Sequence, residues 1–150
     1  MTDFPAGDAD RTLFLVVRYD ACSAHAGLAY GRGEINQAFG LTTRCPTGEL
    51  ALQGWSDDLN SAASGLGAGW LTQSALLASG QARLFKDGSQ IAQWSHTYDT
   101  TLEKLVIGAE IADLGFVDMQ VAAVLIYDHA LSEPERLAVE AYLSSVYLTD

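Results

Sequence analysis

A chain of 150 residues is long enough to bury a core of its own, and 49% hydrophobic against 18% charged residues is a globular composition, not a disordered one. Nineteen acids against eight bases leave a net charge of −11, which repels duplex nucleic acid and anionic bilayers alike. No apolar run nears the roughly 20 residues of a spanning helix, so membrane insertion is not expected either.

The first eleven residues, MTDFPAGDADR, have no basic-then-apolar layout and carry no targeting signal; they read as an N-terminal arm preceding a domain over 12–150. LFLVVRY (13–19) alternates sides and is rich in β-branched and aromatic residues, as a strand requires. GLAYG (27–31), QAFGLTT (37–43) and ELALQGW (49–55) follow in the same manner. SDDLNSAASGLGAG (56–69) reads as one long acidic-headed loop. WLTQSALLA (70–78), QARLFK (81–86) and SQIAQW (89–94) come next, with Asp87-Gly88 marking a tight hairpin. KLVIGAE (104–110) and VDMQVAAVLIYD (117–128) bring the total to about nine strands with turn signals at sandwich-like spacing. Trp70, opening its strand, is expected in the core.

The last segment changes period. Ser132 and Glu135 form a capping box, Pro134 suits a first helical turn, and Val139, Tyr142, Leu143, Val146 and Tyr147 share one helical face. A helix of about 15 residues is marginal alone, so this stripe is expected to pack on the sandwich.

VAAVLIYDHALSEPERLAVEAYLSSVY resembles the closing strand, turn and helix of the laminin-G-like jelly-roll domains of bacteria and phages, in the concanavalin A-like superfamily. Gly69-Trp70, Asp87-Gly88, KLVIGAE and LFLVVRYD are similar to the strand blocks of that family in the same order, over residues 12–147, although Leu71-Thr72 departs from its usual pattern. The resemblance implies an all-β, two-layer antiparallel sandwich with one C-terminal amphipathic helix packed on it as a structural lid. It leaves function to rim loops and the exposed sheet face.

Antiparallel order makes successive loops alternate between the two ends. Loops 19–26 and 44–48 then share an end, so Cys22 and Cys45 are disulfide candidates, a bridge or two separate thiols depending on export. His25, His96 and His129 fall at that end as loop residues without zinc spacing. The other rim collects Glu34, Asp57, Asp58, Asp87, Glu110 and Asp113 against Arg32. Trp55 with Asp57, Asp58 and Asn60 has the composition of a sugar site: a ring for a pyranose face, with oxygens for its hydroxyls. The alternative for Trp55 is a place in the core.

Asp57 and Asp58, with Asp113 across the rim, offer oxygens to calcium, a rim metal the resemblance also implies. The alternative is that Asp57 or Asp58 caps a turn. No paired-carboxylate strand, supported nucleophile or phosphate loop is present, so no catalytic residue is assigned and an enzyme is not expected. The sequence thus points to a non-catalytic glycan-binding module, with or without calcium, of a larger exported bacterial protein, acting outside the cell or at its surface. The alternative is a structural or protein-binding module of a phage virion or tail, or of a multidomain surface protein, with no sugar pocket. Oligomeric state is not legible.

Overall fold

The computed structural model describes residues 3–148; the first two residues of the arm and the last two of the domain lie outside the described residues. Ten strands and one helix follow in order: β1 (Arg11–Cys22), β2 (Ala26–Gly31), β3 (Ala38–Thr43), β4 (Glu49–Gln53), β5 (Leu59–Ser64), β6 (Leu71–Ala78), β7 (Gln81–Lys86), β8 (Ser89–Ser95), β9 (Lys104–Ala109), β10 (Val117–Tyr127) and α1 (Glu133–Tyr147). They form two antiparallel five-stranded sheets, ordered β10-β1-β6-β7-β8 and β5-β4-β3-β2-β9. The expected all-β sandwich with a C-terminal helix is therefore present.

Period-two alternation assigns the layers. Leu13, Leu15, Val17 and Tyr19 of β1 point between the sheets with Leu28, Tyr30, Phe39, Leu41, Leu50, Leu52, Leu77 and Leu84. The opposite side of β1, Phe14 and Val16, is buried too, because α1 covers it with Leu143 and Val139. That double burial is why LFLVV is apolar on both phases.

The arm is part of the packing. Phe4 packs against Tyr30 with tilted rings, centroids 5.3 Å apart, and Gly7 bridges Thr100. Arg11, fully buried, donates to the carbonyls of Pro5, Ala6, Gly7 and Ala9, to Tyr30 Oη and to Thr100 Oγ1. A cation this deep persists because its donors are satisfied by oriented oxygens.

The helix starts as expected: Glu135 accepts from the Ser132 backbone N–H at 2.8 Å. Its buried face differs from the expected stripe. Arg136, Glu140 and Leu143 are buried, whereas Tyr142 is 62% exposed and Val146 and Tyr147 also face solvent. An ion pair buried under the helix holds that face. Arg136 bonds Glu140 at 2.9 Å and lies 3.8 Å over the Phe85 ring, and Ser74 donates to Glu140.

Trp70 is likewise not in the core but 37% exposed, with the Arg18 guanidinium 6.0 Å from its ring. Leu71 is the residue that enters the interior, so Trp70 falls on the outer phase, beside the helix. Val124 does pack against the inter-sheet core.

The larger correction is β5. LNSAAS, read as loop, pairs with β4 as an edge strand, Ala51 opposite Asn60 and Leu52 opposite Leu59. One additional strand passage reverses the end at which every later loop emerges. Cys22 and Cys45 are unaffected and form a disulfide, with Cα atoms 5.7 Å apart. Asp87-Gly88 and the 110–116 segment, expected opposite the cysteines, emerge at their end: Lys86 pairs with Gln73 near the start of β6, which lies toward the Cys22 end of β1, and Ala109 pairs with Gly27 at the start of β2. His96 moves the other way, to Asn36, and His129 follows the Tyr127 end of β10.

Candidate functional site

On its outer face the β5-β4-β3-β2-β9 sheet is built from small residues. Ala29 and Ala38 sit there, buried beneath Ile111, with Trp55 and Val106 alongside. The 110–116 segment lies across this face as a strap. Ala112 abuts Gly33, where a Cβ would come within 2.8 Å of it, and Gly115 passes Ala24. Ser23 N and Oγ both donate to Phe116 O on the return. Lys104 pairs with Asp113. The strap thus brings Glu110 toward the β4–β5 connection.

Between strap and connection lies a cleft of 160 Å³ lined by His25, Gln53, Trp55, Ser56, Asp58 and Glu110. The connection is tightly wound. Trp55 and Ser56 both adopt left-handed backbone, each with φ 65°, an arrangement that costs about 1 kcal/mol or more per non-glycine residue. Asp58 Oδ1 accepts from the Gly54 N–H at 2.9 Å, which closes the turn. Asp58 thus makes the turn cap expected of Asp57 or Asp58. The same turn leaves the Trp55 ring half-buried at the cleft, its backbone carbonyl accepting from the Asn36 N–H.

The cleft is rich in acceptors. Gln53 is 2% exposed, and its Oε1 has no hydrogen-bond partner. A buried acceptor left open is uncommon and marks a position that a ligand donor or a water can fill. Burial raises the pKa of both Asp58 and Glu110; the Gly54 N–H and then His25 oppose the rise at Asp58, and His25 opposes it at Glu110. The neighbouring Asp58 charge pushes Glu110 further up. His25 Nε2 donates to Cys45 O at 3.2 Å, since a carbonyl oxygen only accepts.

Of the expected sugar set, the structure brings Trp55 and Asp58 to the cleft. Asp57 and Asn60 do not line it; Asn60 is exposed on edge strand β5. Asp113 pairs with Lys104 and does not line the cleft, and among the described residues no three His, Cys, Asp or Glu side chains gather as a metal site. Gln53, Ser56 and His25 were not grouped with Trp55 from the sequence, and Glu110 was expected on the rim with Asp57 and Asp58 but outside the sugar set. The legible signal for Gln53 was its outward phase in ELALQ; nothing local announced that the strap would deliver Glu110.

No protein-family model matches the chain, and no curated protein sequence matches it. Solved structures do. The CBM40 of Ruminococcus gnavus IT-sialidase, bound to α2,3-sialyllactose, superposes with a TM-score of 0.65 at 16% identity over 88% of this chain and 83% of that one. A putative carbohydrate-binding protein from Bacteroides ovatus gives a TM-score of 0.70 at 14% identity, over 89% of this chain and 42% of the other. Domain 4 of the extracellular arabinanase AbnA from Geobacillus stearothermophilus, in complex with arabinotriose, gives 0.59 at 15% identity, over 90% and 68%. The fold is thus the jelly-roll sandwich that carbohydrate-binding modules use. At these identities the likeness defines architecture, and the side chains of the cleft are this chain's own.

Proposed function

We propose that the domain is a non-catalytic glycan-binding module. The observation that carries this is the half-buried Trp55 beside a cleft whose floor holds the unpartnered Gln53 Oε1, flanked by Asp58 and Glu110. A ring offers a pyranose its apolar face, and a set of fixed acceptors suits a donor-rich ligand. The sandwich likeness to sugar-bound modules supports the same reading. The Cys22–Cys45 disulfide supports residence in an oxidising compartment, as part of an exported protein. Membership of the laminin-G-like group is a finer proposal, resting on the sequence blocks from LFLVVRYD to the closing helix.

The test is titration of the domain and of Trp55→Ala against a broad glycan panel, with calcium and with excess chelator. Binding by the native protein, lost in Trp55→Ala with the bound glycan recovered intact, is the expected result. Absence of binding to every glycan under both conditions overturns the proposal, and dependence on the chelator alone reports whether calcium assists.

A further inference from the structure

We infer that the cleft beside Trp55 selects an amino sugar carrying a free ammonium group, with Gln53 Oε1, Asp58 and Glu110 as its acceptors. This rests on the glycan-binding reading and names the ligand class. Its basis is a mismatch between what lines the cleft and what satisfies it. Gln53 Oε1 is buried and empty-handed. Asp58 has one oxygen committed to the Gly54 N–H, and Glu110 is half-buried beside it. Among the described residues neither carboxylate has an ion-pair partner, and no lysine or arginine lines the cleft.

Desolvation is imposed on two carboxyls that no lysine or arginine pairs with inside the cleft; His25 in its lining and, for Asp58, Arg44 beyond it oppose burial as lesser causes. The shifts of both carboxyls toward the neutral form have burial as their leading cause.

Three ligand chemistries compete. A carboxylate-bearing sugar, such as the sialyl group of the R. gnavus complex, would bring a third negative charge to this cleft. A neutral sugar supplies hydroxyl donors but leaves the two charges uncompensated. An ammonium carries three N–H donors and no acceptor, matching the inventory group for group, and its charge cancels part of that of the pair. The Trp55 ring accommodates either the pyranose face or the cation. The overall charge of −11 adds long-range attraction for a cationic glycan.

The experiment is calorimetric titration at pH 6 with β-1,4-linked glucosamine tetramer, its fully N-acetylated counterpart, a neutral glucose tetramer and sialyllactose. Native protein, Glu110→Gln, Gln53→Leu and Asp58→Asn are compared with Asp118→Asn, an exposed acid outside the cleft, and folding of each is checked by thermal melting. Glucosamine tetramer is expected to bind at least about tenfold tighter than the other three. That margin should collapse in Glu110→Gln and Gln53→Leu and survive in Asp118→Asn. Equal or tighter binding of the acetylated, neutral or sialylated glycans overturns the ammonium inference while leaving the module intact. An equal fall in Asp118→Asn, or no fall in any cleft variant, also overturns it, since attraction is then to the acidic surface at large. No binding of any glycan overturns both.

Discussion

Replacing Arg136 by methionine removes one half of an ion pair whose side chains are 5% and 7% exposed. At 2.9 Å and an effective dielectric of about 20, the attraction is about 6 kcal/mol, most of it offset by the cost of dehydrating both groups. The single replacement keeps the dehydration of Glu140 and discards its partner. It also removes the bond to Gly88 O and the stacking on Phe85, leaving the carboxylate with Ser74. The expected loss is about 3–5 kcal/mol, or on the order of 10 °C in Tm for a chain of this size. Urea unfolding followed by tryptophan fluorescence, disulfide intact, measures it. The double variant Arg136→Met/Glu140→Leu should recover all but about 1 kcal/mol, the remainder being the hydroxyl of Ser74 left without its acceptor. A loss below about 1 kcal/mol in the single variant, or a double variant as unstable as it, would refute the assignment of this pair as the buried contact of the helix.

Three other outcomes are expected. Cys22→Ser/Cys45→Ser opens a cross-link spanning 23 residues and should lower stability by about 3 kcal/mol in the chain-entropy model, read from the urea midpoint; an unchanged midpoint contradicts it. Trp55→Gly should be about 1 kcal/mol more stable than Trp55→Ala, because only glycine takes φ 65° without strain, yet both should lose glycan binding equally; a more stable alanine variant would mean the turn is unstrained. Asp58 and Glu110 have raised pKa values in the folded state, so their contribution to stability is full below about pH 4 and is lost as pH rises through the elevated values. Denaturation between pH 3.5 and 7 should therefore show native stability falling relative to Asp58→Asn/Glu110→Gln as pH increases, and a constant difference would rule the shifts out.

Local chemistry was enough for much of this architecture. The two-residue period of LFLVVRY, the Asp87-Gly88 hairpin and the Ser132–Glu135 cap are properties of neighbouring residues, and each forms as its residues direct. The Cys22–Cys45 bridge was also within reach, since no misread element separates those loops. Tertiary structure decided the rest. LNSAAS has too little apolar alternation to announce a strand; it is ordered by the ladder that β4 offers, and its extra passage carried Glu110 to the end where His25 lies. Nothing in the sequence assigns Arg136 and Glu140 to the buried face; Phe85, Ser74 and Gly88, placed against them by the fold, do so. The cleft needs the β4–β5 turn and the 110–116 strap brought together on one sheet. Periodicity reports which side of its own element a residue faces, whereas a site assembled by a strap from a distant strand depends on how many times the chain has crossed the sheets before it arrives.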